Sequence, residues 1–166
     1  MMHLLESFGA FVNKVLIWIA GFSLFALLIF TVADMTLRAL GMQVAGSYEI
    51  IGWLAAASMA LALGSVQQHR GHVSVKLLER HFGPRMKACV DLFNCALSLA
   101  LFVAVTWYVV RYAGILRMTG SLSETLRVVV YPWVYVVAVG CGGLALTLLI
   151  DVIRAAATVI APPREA

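Results

Sequence analysis

The sequence predicts an all-α integral membrane protein of four transmembrane helices, and three observations carry that prediction. The chain of 166 residues is 63% hydrophobic and 12% charged, with a mean hydropathy of +0.97. A soluble domain is roughly 45–50% apolar and 25% charged. The charges are gathered into short clusters separated by four charge-free runs, Val15–Ala33, Ile50–His69, Leu92–Val110 and Val128–Ile150. None of these runs alternates polar and apolar residues with the period of a membrane β-strand. Lipid admits only helices and closed barrels as spanning structures, so the runs are helices. The composition excludes a disordered chain, a count of three cysteines excludes a disulfide scaffold, and the length leaves room for a single membrane domain over residues 1–166.

The first run, 15–33, rises about 28 Å as a helix, close to the ~30 Å of a hydrocarbon core. The residues before it carry Glu6 and Lys14 and do not read as a cleaved secretory signal, so the run stands as helix 1. At its far end Asp34 and Arg38 are four apart, an ion pair if the helix continues to Leu40 before Gly41.

Helix 2, residues 50–69, is opened by Glu49, where a carboxylate suits the positive end of a helix dipole; a subunit or lipid contact is the alternative role. Gly52, Ala56, Ala60 and Gly64 set a small residue at every fourth position, the spacing that lets two helix backbones approach closely. Helix 3, residues 92–110, repeats the device with Ala96, Ala100 and Ala104, and helix 4, residues 128–150, carries Gly140, Gly142 and Gly143. These stripes fit packing inside the four-helix unit or packing against a separate membrane subunit. Between helices 2 and 3, Val75, Leu78 and Phe82 follow i, i+3, i+7 spacing before Gly83-Pro84, which predicts a short interfacial helix over 73–82.

Lysines and arginines set the orientation. Lys14, Arg70, Lys76, Arg80, Arg85, Lys87, Arg154 and Arg164 fall on one side, and Arg38, Arg111, Arg117 and Arg127 on the other. Eight against four places both termini in the cytoplasm, and the basic excess there faces anionic phospholipid rather than nucleic acid. Tyr48, Trp53, Trp107, Tyr108, Tyr112, Tyr131, Trp133 and Tyr135 gather at the outer ends. Interfacial anchoring accounts for such a belt; an outer docking platform is the sharper alternative.

Polar residues within the runs are mild: Ser23, Thr31, Ser58, Asn94, Ser98, Thr106 and Thr147. No Asp, Glu, Lys or Arg lies inside them, and His69 is only at an end. Proton relays and many ion sites carry such groups, so a complete coupled transporter is disfavoured. A haem bundle would place histidines on facing helices. Zinc ligation is not suggested by Cys89, Cys95 and Cys141, which show no C-x-x-C spacing. Phosphate loops, nucleophile elbows and paired catalytic carboxylates are missing too. The expectation is a non-enzyme with no metal and no cofactor.

Glu49 opening helix 2, about two dozen small and apolar residues, and then Gly71-His72-Val73 with Val75 form a pattern that resembles the DctQ-type small membrane subunit of tripartite ATP-independent periplasmic (TRAP) transporters. Pro132-Trp133 with Tyr135 and Gly140 is similar to the last helix of that family. The likeness runs from about Arg38 to Leu149, with Lys76 and Gly52 where the family often has Asp and Arg.

The resemblance implies a bacterial inner-membrane protein that scaffolds a large substrate-translocating subunit. That subunit would carry out sodium-coupled uptake of an organic acid delivered by a periplasmic binding protein. It makes Glu49, Gly52, Ala56, Ala60, Gly64, Arg70, Gly71 and His72 candidates for contact with the large subunit or lipid headgroups. Tyr48, Trp53, Tyr131 and Trp133 become candidates for an outer docking surface. Two alternatives stand beside it: an anchor subunit of another membrane complex, including a redox enzyme, and a small homo-oligomeric channel or exporter.

Overall fold

A computed structural model describes residues 2–68 and 84–160, and these are all-helical. The helices are α1 (Met2–Ala39), α2 (Ser47–Gln68), α3 (Pro84–Thr119) and α4 (Tyr131–Ile160). All four are long and apolar enough to cross a membrane. Their lengths exceed the charge-free runs because those runs mark only the hydrocarbon depth: the 38 residues of α1 rise about 57 Å. The predicted interfacial helix over 73–82, with Arg70, Gly71 and His72, lies outside the described residues.

Helix ends follow local chemistry. Gly41 takes φ +75, which only glycine adopts freely, and Met42 N–H donates to the Leu37 carbonyl at 2.9 Å while Gly41 N–H donates to Arg38 at 3.0 Å. This doubly bonded cap satisfies carbonyls that the end of α1 would otherwise leave open. Gly120, at φ +63, ends α3 with the Ser121 N–H on the Leu116 carbonyl at 3.2 Å. The start of α4 differs from the sequence expectation. Val128–Val130 precede the helix, and Val129 pairs instead with Leu122 in an isolated antiparallel bridge. Pro132 explains the shift, since proline fits the first turn of a helix, where its missing N–H costs nothing.

The packing centres on α4. It contacts α1, α2 and α3, whereas α1 and α2 pack on each other and α3 packs along α4. Accordingly 44% of the apolar window of α4 is buried within the chain, against 0% for α3. Along α1 the buried positions Gly9, Asn13, Leu16 and Ala20 step by four, three and four residues, the spacing of a left-handed coiled-coil seam. Leu16, Ala20 and Leu61 form the centre, with Val12, Ala62 and Val136 packed around them.

Glycines let the backbones meet. A Cβ on Gly140 would collide with the main chain of Ala60 and Leu61, and one on Gly143 would lie 2.6 Å from Leu16 Cδ1. Close approach of this kind drives helix association in lipid, where no hydrophobic gain distinguishes a neighbouring helix from an acyl chain.

Candidate functional site

Polar side chains gather at the two ends of the bundle. The face carrying both chain ends is termed proximal here, and the face carrying the short connections 40–46 and 120–130 distal.

The distal cluster is built on the first two turns of α2. Glu49 Oε1 accepts the Thr125 main-chain N–H at 2.8 Å, and Oε2 accepts that of Leu126 at 3.2 Å. Arg127 follows at φ 52, a left-handed conformation rare for a side-chain-bearing residue. The successive amides of Thr125 and Leu126, just before it, thus converge on one carboxylate, which Glu49 supplies from within the chain. Ser123 N–H on the Val128 carbonyl at 2.9 Å closes the small loop behind. Leu126 lies over Gly46, where φ is +79 and a Cβ would fall inside the leucine side chain.

Beside Glu49, Arg38 joins α1 to α2. Its Nε donates to Asp34 Oδ2 at 2.7 Å, the ion pair expected from their spacing. Its Nη2 donates to the buried Ser47 Oγ at 3.1 Å, and the guanidinium carbon stands 4.5 Å from the Tyr48 ring centroid. Trp53 of α2 stacks on Trp133 of α4, with centroids 5.5 Å apart and planes 20° from parallel. Tyr131 meets Tyr135 edge-on at 6.4 Å. The span Ser47–Trp53 therefore binds the end of α1, the α3–α4 connection and the start of α4.

The proximal cluster ties α1 and α2 to α4. Asn13 Nδ2 donates to Thr147 Oγ1 at 2.6 Å, and Thr147 in turn donates to the Gly143 carbonyl at 3.0 Å. Gln67 Nε2 donates to Asp151 Oδ2 at 2.9 Å, and Arg154 Nε to Glu6 Oε1 at 3.0 Å. Asn13 is 1% exposed and its Oδ1 has no hydrogen-bond partner. That oxygen occupies the space where a Cβ on Gly64 would stand.

The small-residue stripe of α2 divides in two. Ala60 and Gly64 are buried against α4 and α1, and so are taken up by the chain's own packing. Gly52 and Ala56 are exposed, with open space beside Gly52. Ala96, Ala100 and Ala104 of α3 are exposed throughout. Of the aromatic candidates, Tyr48 is exposed while Trp53, Tyr131 and Trp133 are half-buried by their ring contacts. Asn13, Ser47 and the Thr125–Leu126 amides were not singled out in the sequence. Asn13 precedes the first charge-free run by two residues, and a main-chain amide has no sequence signature. Among the described residues no cluster of three metal-ligating side chains occurs.

Fold and contacts together define a small polytopic membrane protein whose polar side chains bridge its own helices. The chain belongs to the DctQ component family of the tripartite ATP-independent periplasmic transporters, whose family model matches residues 27–158. It is thus the small membrane subunit of a TRAP transporter, a multi-pass inner-membrane protein of a family that works with a large membrane subunit and a periplasmic binding protein. No curated protein and no solved structure matches the chain.

Proposed function

We propose that this chain is a rigid scaffold for the large subunit, which itself performs sodium-coupled uptake of an organic acid. One observation carries the reading: Asn13, Gln67, Glu49, Arg38 and Arg154 all bridge separate parts of this chain, at both ends of the bundle. Such bridges hold four helices as one block. The spans between them contain no charged side chain that would accompany an ion or an organic anion through lipid.

In this account both termini are cytoplasmic, as the lysine and arginine asymmetry favours. The large subunit lies against the open half of the α2 stripe, Gly52 and Ala56, and against Arg70, Gly71 and His72, which follow α2 in the sequence. The distal aromatic rim of Tyr48, Trp53, Tyr131 and Trp133 receives the loaded binding protein. Sodium and the organic acid belong to the family resemblance, and their sites to the large subunit.

The test is uptake in proteoliposomes containing the large subunit with and without this chain, driven by a sodium gradient in the presence of binding protein. The scaffold account expects uptake only when both membrane subunits are present. Full uptake by the large subunit alone would contradict it, as would transport by this chain alone.

A further inference from the structure

Helices α2 and α3 each pack on α4 but share no packed seam with one another, which leaves a groove floored by α4. Near its proximal end the groove widens to a cavity of about 260 Å³ lined by Gln67, Asn94, Cys95, Ser98, Phe102 and Leu148. Asn94, Ser98 and Phe102 stand at i, i+4 and i+8 on α3, so each lies about 6 Å deeper than the last. Gln67 is level with Asp151, to which it donates, and Leu148 is nearly a turn deeper on α4. The lining therefore runs from amide to hydroxyl to aromatic and aliphatic over about two turns.

Asn94 and Ser98 are exposed and half-buried respectively, and neither side chain has a hydrogen-bond partner among the described residues. Asp91 lies one turn before Asn94, which sets these groups at the edge of the hydrocarbon, where the ester groups of phospholipids lie and where unpaired donors take partners from water or lipid. From this the geometry points to a site for a glycerophospholipid of the proximal leaflet. Its ester carbonyl oxygens accept from the Asn94 amide and the Ser98 hydroxyl, and one acyl chain descends past Phe102 and Leu148.

The polarity gradient favours this occupant, because a phospholipid carries its acceptors at one depth and hydrocarbon below. Size favours it as well: a helix ~10 Å across does not enter a cavity of about 260 Å³, whereas a single extended chain does. The lipid would fill the wedge between α2 and α3 and brace α3 on the side that α4 leaves open. The inference does not depend on the scaffold reading, since it concerns this chain and its bilayer alone.

The test uses the full chain with whatever membrane partner co-purifies. After extensive detergent washing, phospholipid retained per chain is measured by native mass spectrometry for the wild type, for Asn94→Leu with Ser98→Ala, and for the lipid-facing control Leu97→Ala. Retention by the wild type and the control, with several-fold loss in the double variant at unchanged helix content, is expected. Equal retention by all three, or none by the wild type, would overturn the proposal. If the double variant fails to fold, p-benzoylphenylalanine in place of Phe102 decides the question by irradiation after washing. A phospholipid adduct, absent when the probe replaces Leu97, is expected. An adduct to a polypeptide, or no lipid adduct at Phe102, would show that the groove seats protein or nothing.

Discussion

The carboxylate of Glu49 and the main-chain amide of Thr125 stand 2.8 Å apart although 76 residues separate them in the chain. With the second oxygen on Leu126, this contact fixes the α3–α4 connection to the first turn of α2. A resident carboxylate held by two main-chain amides is a fastening, and its loss leaves two donors facing a gap.

Glu49→Gln keeps the shape of the side chain but turns an NH2 group toward a main-chain donor. We expect a lowered melting temperature and faster amide exchange at Thr125 and Leu126, on the order of tenfold or more, with α1 and the proximal bridges unaffected. Hydrogen–deuterium exchange read by mass spectrometry checks this. Unchanged exchange in the 120–130 segment would show that the loop is held by Leu126 over Gly46 instead.

The two halves of the α2 stripe should respond differently to bulk. Ala60→Leu forces a large side chain toward the backbone of α4 near Gly140, and overpacking of this kind costs roughly 1–3 kcal/mol, so recovery of the folded chain should fall. Ala56→Leu adds its side chain on an exposed face and should leave the isolated chain folded. Any loss it causes should appear only in co-purification of the large subunit. Equal loss of folded chain in both variants would contradict the division.

Asn13 and Thr147 should be energetically coupled. An interhelical polar pair in a membrane contributes about 0.6–2 kcal/mol, so a double-mutant cycle of Asn13→Ala and Thr147→Val should return a coupling in that range. Reversible unfolding in mixed micelles supplies the free energies. Additive single effects would mean that Asn13 acts only by filling space beside Gly64.

The stacked pair Trp53 and Trp133 joins α2 to α4 near the distal face. Such ring pairs contribute about 0.5–1.5 kcal/mol beyond the area they bury. Trp53→Leu and Trp133→Leu should each destabilise the chain, and the double variant should cost less than their sum. If the same rim receives the binding protein, each variant should also weaken its capture. A Tyr48→Ala variant, which removes an exposed ring, should then weaken capture while sparing stability more than either tryptophan change.

Much of the fold was legible in the sequence because charges cannot enter hydrocarbon. Their positions marked four spans, and the Asp34–Arg38 spacing announced its ion pair. The partnering of the helices was not legible. In a soluble protein the buried face is the apolar one, but here Leu101 is 59% exposed while Leu144 is fully buried, and both are leucine. Glycine was the better guide, since Gly140 and Gly143 mark the crossings on α2 and α1. For the site, Glu49 was visible as a lone carboxylate at a helix start. Its partners were invisible because they are main-chain amides brought to it by the loop. The small-residue spacing named Gly52, Ala56, Ala60 and Gly64 together, and only tertiary packing separates the buried pair from the open one.

The central claim is that this chain forms a block against which a larger membrane subunit sits. The most direct measurement is affinity capture of the tagged chain from its native membrane in mild detergent, with partners identified by mass spectrometry and their ratio determined. The account predicts a much larger polytopic partner in stoichiometric amount. Recovery of the chain alone, as a stable oligomer of itself, would contradict it.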